Sequence, residues 1–141
     1  MRLPLPANNC VYNHNVIVSL RFRIYQASPS MTLPVSVVMG FDYGLGAVPI
    51  WNWSRRELSY SNGEGQYVTR TYAPTSDTWH EIEFRLVNHR FIFESDSVQL
   101  IVVDDNRTPS DIVLRVQGTY DPYNTYPFFF FYFDDVRVTI E

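Results

Sequence analysis

Hydrophobic and polar residues alternate with period two along most of this chain, and no stretch of helical length shows a 3.6-residue apolar period. In residues 16–25, Val16, Val18, Leu20, Phe22 and Ile24 fall on one face, and Ile17, Ser19, Arg21, Arg23 and Tyr25 on the other. In residues 79–86, Ile82, Phe84 and Leu86 alternate with Glu81, Glu83 and Arg85. This is the pattern of antiparallel strands with one buried and one solvated face. Further strands are predicted over 32–41, 47–53, 57–61, 66–72, 90–94, 98–103, 111–117 and 128–140. Turn formers separate them, as in Ser61-Asn62-Gly63, Pro74-Thr75-Ser76-Asp77, Asp104-Asp105-Asn106 and Asp121-Pro122-Tyr123-Asn124. Many short strands at this spacing predict an all-β fold, a two-sheet antiparallel β-sandwich. With 141 residues and no linker-like or repeated tract, the expectation is one domain over 1–141, with 1–15 a possible N-terminal arm.

The last predicted strand breaks the alternation. Phe128 to Phe133 is apolar at every position, which predicts a central strand covered on both faces. Beyond it Val136, Val138 and Ile140 share a face, and parity assigns Asp134 to that face, toward the core. A carboxylate there needs a cation or hydrogen-bond donors to offset its burial. Calcium, an arginine partner and backbone N–H groups all meet the requirement, so structural calcium at Asp134 is one open reading.

The segment Tyr132-Phe133-Asp134-Asp135-Val136-Arg137-Val138 resembles the closing strand of concanavalin A-like, carbohydrate-binding jelly rolls. Thr78-Trp79-His80-Glu81-Ile82-Glu83-Phe84 is similar to a strand of laminin-G-like and lectin/glucanase-like sandwiches. The segments Phe91-Ile92-Phe93-Glu94-Ser95-Asp96 and Ile112-Val113-Leu114-Arg115-Val116-Gln117-Gly118 follow in the order seen there. The resemblance covers roughly residues 78–138, more weakly 15–45; residues 3–15 match no element of such domains. It implies a jelly-roll sandwich that recognises carbohydrate.

Composition narrows the partners. The net charge of −4 offers no basic surplus to a nucleic acid. No run approaches the roughly 18 apolar residues of a membrane-spanning helix. All eleven basic residues are arginine, which forks onto carboxylates and stacks on rings. Cys10 is the single cysteine, so no internal disulfide can form.

Catalytic signatures are missing from the sequence. The acids Glu81, Glu83, Glu94 and Asp96 lack the spacing of a glycosidase triplet, and His14, His80 and His89 have no zinc-ligand spacing. The expectation is therefore a protein that is not an enzyme. Aromatic residues, 16% of the chain, supply the alternative chemistry, because Trp and Tyr rings stack on the C–H faces of sugars. Trp51 and Trp53 share one strand face, roughly 7 Å apart, with Asn52 and Arg55 beside them as hydrogen-bonding groups. They form either a sugar platform or part of the core. Trp79 opens a strand with an apolar inner face and is expected in the core. Tyr120, Tyr123 and Tyr126 crowd one loop, which either binds ligand or caps the sandwich.

The reading is a glycan- or polysaccharide-binding module, extracellular or at a cell surface. Its expected site is Trp51, Asn52, Trp53, Arg55, Tyr120, Tyr123 and Tyr126, with structural calcium at Asp134. Two alternatives stay open. One is a self-associating structural subunit; the other is a glycan hydrolase or lyase with an unrecognised site.

Overall fold

The computed structural model describes residues 1–6, 15–26, 35–118 and 129–141. Among them lie eleven strands: β1 (Arg2–Pro4), β2 (Val16–Gln26), β3 (Val35–Asp42), β4 (Ala47–Asn52), β5 (Glu57–Ser61), β6 (Tyr67–Thr71), β7 (His80–Val87), β8 (Arg90–Ser95), β9 (Val98–Asp104), β10 (Asp111–Gly118) and β11 (Phe129–Ile140). They form two antiparallel sheets, ordered β1-β10-β3-β4-β5-β6 and β11-β2-β7-β8-β9. The alternation therefore located ten of the eleven strands; β1, three residues long and containing a proline, gave no periodic signal.

The core lies between the sheets. Val16, Val18, Leu20, Phe22 and Ile24 of β2 are all buried, as their shared parity required, and they face Val37, Met39 and Phe41 of β3 with Ile112 and Leu114 of β10. Two hairpins in the five-stranded sheet turn on two residues each, Asn88-His89 (φ 49° and 58°) and Asp96-Ser97 (φ 49° and 66°). Positive φ at both central positions gives the mirror-image turn whose twist matches the flanking strands. Between β3 and β4 the register shifts between Val38 and Phe41. Gly40 makes that shift possible, since a Cβ there would lie 2.0 Å from the Val48 carbonyl oxygen.

β11 does not run centrally. It is an edge strand, paired with β2 alone among the described strands. Its apolar run divides between two environments: Phe131 and Phe133 pack on the core, while Phe130 and Tyr132 are exposed on the outer face. The parity argument for Asp134 fails for a definite reason. The register against β2 slips by one residue between Asp134 and Arg137, and Asp135 takes a positive φ of 53°. This bulge puts Asp134 opposite Arg21 on the outer face, while Val136 still packs inward.

One end of the sandwich is closed by a buried polar network. Asp105 is 1% exposed. It accepts from Tyr60 Oη (2.5 Å), from Arg107 Nη2 (2.7 Å) and Nε (3.0 Å), and from the Arg107 backbone N–H (3.0 Å). Tyr43 lies 3.1 Å from Tyr60 through their hydroxyls, beneath the Arg107 guanidinium. Burial drives both phenols well above the ordinary tyrosine range, so they stay protonated as donors.

β1 is fastened by charge. Arg2 Nη1 donates to Asp42 (2.7 Å) and Asp111 (2.9 Å). The Arg2 bond, and then the Gly44 N–H, hold the Asp42 carboxyl below its ordinary 3.8. A carboxyl lowered by folding contributes stability above its unfolded value and loses it as pH falls through the folded one. Urea midpoints of wild type and Asp42→Asn should therefore differ by a constant amount above about pH 5 and converge as pH falls below 3.8. A gap that persists undiminished at pH 2 would show that the carboxylate charge is not what fastens β1.

Candidate functional site

The structure separates the residues that the sequence grouped as a sugar platform. Trp51 (0% exposed) and Trp53 (2%) point into the core. Trp51 meets Phe22 of the opposite sheet edge-on at 5.8 Å, and its Nε1–H donates to the Tyr72 carbonyl at 3.1 Å. Trp53 lies edge-on to Trp51 at 5.3 Å, and the Arg56 guanidinium covers its ring at 3.4 Å. Asn52 instead organises the turn after β4, its Oδ1 accepting from the Arg55 backbone N–H (3.1 Å) and Ser54 Oγ (2.8 Å). The Arg55 side chain is exposed in that turn. Tyr120, Tyr123 and Tyr126 lie outside the described residues. The expected platform at Trp51 and Trp53 is thus corrected: rings this large, on the inner face of β4 and just beyond its end, fill the space between the sheets.

The exposed rings are elsewhere, on the outer face of the five-stranded sheet near its β11 edge. Tyr25, Trp79, Phe130 and Tyr132 are each 40–47% exposed. With Arg23 they line a groove of about 460 Å³. The pairing of β11 with β2 builds it: Phe130 stands opposite Tyr25, Tyr132 opposite Arg23, and Asp134 opposite Arg21. Phe130 and Tyr132 run nearly parallel, their centroids 6.3 Å apart with 17° between planes, and Tyr25 is 6.2 Å from Phe130. Trp79 reaches the groove from the loop before β7, contrary to its expected place in the core. That loop folds onto β2 through the Asp77 N–H, which donates to the Ile24 carbonyl at 2.6 Å. The Arg21 guanidinium lies 5.2 Å over the Trp79 ring.

Ion pairs frame these rings. Arg21 Nη2 donates to Asp134 at 2.7 Å, and Arg23 donates to Asp77 through Nε (2.9 Å) and Nη2. Asp134 is 53% exposed and has its cation in Arg21, so the burial that suggested calcium there does not exist. Among the described residues no three His, Cys, Asp or Glu side chains converge as a metal site. Beside Arg21 lies a cleft of about 240 Å³ lined by that arginine with Glu81, Glu83, Glu94, Asp135 and Arg137. Here Arg85 bridges Glu83 (2.5 Å) and Glu94 (2.9 Å), and its guanidinium holds the Glu94 carboxyl below the ordinary range.

His80 is buried and fully engaged, its Nδ1 2.7 Å from Asp96 Oδ2 and its Nε2 2.8 Å from the Thr75 carbonyl. These bonds pin the Thr75–Trp79 loop to the sheet. The network around Asp105 likewise spends its groups on one another.

Sequence reasoning missed the groove, although half its signal was present. Tyr25 already lay on the polar face of β2. The missing step was to split the Phe128–Phe133 run by parity, which would have set Phe130 and Tyr132 beside Tyr25.

Neither a protein-family model nor a curated protein sequence matches the chain. Solved structures do. An alginate lyase from Corynebacterium sp. superposes with a TM-score of 0.63 at 13% identity, covering 92% of this chain and 60% of the lyase. The carbohydrate binding module CBM66 from Bacillus subtilis gives a TM-score of 0.54 at 10% identity, over 89% of this chain and 75% of the module. A variant of human galectin-16 gives 0.55 at 12%, over 99% and 94%. The fold is a concanavalin A-like jelly roll. The chain spans about three fifths of the length of the Corynebacterium lyase. Further alginate lyases are among the matches, one of them from polysaccharide lyase family 7. The expectation that the chain is not an enzyme is corrected on this ground: the architecture is shared by lyases and by binding modules.

The two classes of aromatic residue should respond differently to truncation. Trp51→Ala removes a fully buried ring and should cost about 3–5 kcal/mol in urea unfolding. Trp79→Ala and Tyr132→Ala, half exposed, should each cost less than about 1 kcal/mol. Equal losses at all three positions would contradict the division into core and surface rings.

Proposed function

We propose that the outer face of the five-stranded sheet binds a glycan in the groove formed by Tyr25, Trp79, Phe130 and Tyr132. One observation carries this reading: four exposed aromatic rings converge on a single groove whose polar rim is already fixed by ion pairs. Flat rings offer surface to the C–H faces of sugars, and the fixed guanidinium and carboxylate groups beside them suit hydroxyls. The rings cost little to order, because each is held by its strand or by the Asp77 loop before a ligand arrives. A carbohydrate binding module and a galectin among the matched folds support the same class of partner. Such a partner puts the protein's work outside the cell or at its surface. Self-association through the β11 edge is less favoured, since a bulge with Asp135 and Arg137 interrupts it, a common guard against strand pairing.

Affinity electrophoresis in gels containing soluble polysaccharides tests the proposal. Wild type should be retarded by at least one glycan, and Trp79→Ala and Tyr132→Ala should each weaken apparent binding by about tenfold, the loss of roughly 1.4 kcal/mol of stacking. A double variant retarded like wild type would refute the groove. The alginate lyases among the matched folds favour a second reading, cleavage of a bound glycan. Release of reducing ends, or of ultraviolet-absorbing unsaturated ends, during incubation with the retarding glycan would establish it.

A further inference from the structure

The charges around the groove point to the class of glycan, an inference that rests on the groove reading above. On the outer face of the five-stranded sheet every arginine is already in an ion pair: Arg21 with Asp134, Arg23 with Asp77, Arg85 with Glu83 and Glu94, Arg90 with Asp104, and Arg137 with Asp135. Arg23, which lines the groove, and Arg21, which lies over the Trp79 ring, each carry a carboxylate within direct contact, and Glu81 stands opposite Arg21 on the other side of β2. The neighbouring cleft adds Glu83, Glu94 and Asp135 within reach of a chain that extends out of the groove. A polyanion laid along this face would have to displace Asp77 and Asp134 from their partners and lie beside the remaining carboxylates. An uncharged sugar meets no such opposition: it stacks on the rings, and its hydroxyls donate to the carboxylates and accept from the guanidinium groups where they already stand.

We infer that the groove takes an uncharged polysaccharide and discriminates against polyuronates. The ion pairs act as a charge filter. They leave the arginines their hydrogen-bonding geometry and remove the net positive field that would draw an acidic chain.

The test compares gels containing a neutral polysaccharide (soluble β-glucan, galactomannan or starch) with gels containing alginate, at low salt. The quantity read is the retardation that Tyr132→Ala abolishes, so that binding elsewhere on the molecule cancels. The expected result is a loss in a neutral gel and none in the alginate gel. A loss in alginate as large as in the neutral gels overturns the inference while leaving the groove intact. No loss in any gel overturns the groove reading itself, and the inference with it. A second variant inverts the prediction. Asp77→Asn/Asp134→Asn removes the acidic partners of Arg21 and Arg23, and should gain retardation in alginate that rising salt removes. A double variant with the far-ultraviolet circular dichroism spectrum of wild type but no gain in alginate overturns the charge filter.

Discussion

Three rings from three strands decide the geometry of this molecule. Trp51 on β4 meets Phe22 on β2 edge-on, and Phe22 stacks on Phe131 of β11 at 5.2 Å with 5° between planes. Trp51 and Phe131 close the triangle at 6.4 Å. The cluster joins the two sheets and at the same time fixes which way β11 faces. With Phe131 turned inward against Phe22, strand geometry gives Phe130 and Tyr132 no choice but the outer face. The surface groove is therefore a consequence of core packing. A one-residue slip of β11 would bury Phe130 and Tyr132 and expose Phe131 and Phe133, destroying core and groove together.

Electrostatics supports that arrangement without supplying its driving force. The exposed arginine pairs contribute little each to stability, because solvent screens them and ordering two side chains costs entropy. Their effect is positional: Arg23 ties the Asp77 loop to β2, and Arg21 ties Asp134 at the bulge to the same strand. The Asp105 network belongs to another energetic class. Its carboxylate has no exposed surface, and it is tolerable only because Tyr60 and Arg107 satisfy it together. Removing Arg107 would leave a buried charge uncompensated, and removing Tyr60 would take a hydrogen-bond donor from it.

Much of the fold was legible in the residues, and the site much less so. Alternation marked the inner faces of β2 and β7, where one parity is apolar and the other charged, so burial could fall on only one side. It was ambiguous in β4, where Val48 and Ile50 compete with Trp51 and Trp53. There the shift at Gly40 lets Val48 and Trp51 both face inward, although they stand an odd three positions apart. It misled at Asp134, because the Asp135 bulge changes parity within the strand and no glycine marks it. The Phe-rich run of β11 was read as doubly buried because apolar residues on both faces have that meaning in an ordinary sheet. An edge strand with an exposed aromatic face produces the same letters for a different reason.

That ambiguity reaches from the strand to the function. A two-sheet jelly roll supplies two outer faces and fixes neither chemistry, so its likeness to lyases and to lectin-like modules alike follows from the scaffold. What distinguishes this chain is how it distributes its rings and charges. Trp51 and Trp53 fill the core, Trp79 converges with Tyr25, Phe130 and Tyr132 outside at the β11 edge, and the arginines of that face are matched by carboxylates. Stacking surface without net positive charge is a coherent chemistry for hydroxyl-rich ligands and a poor one for polyanions. The proposed function therefore rests on the outer face of the five-stranded sheet rather than on the architecture beneath it.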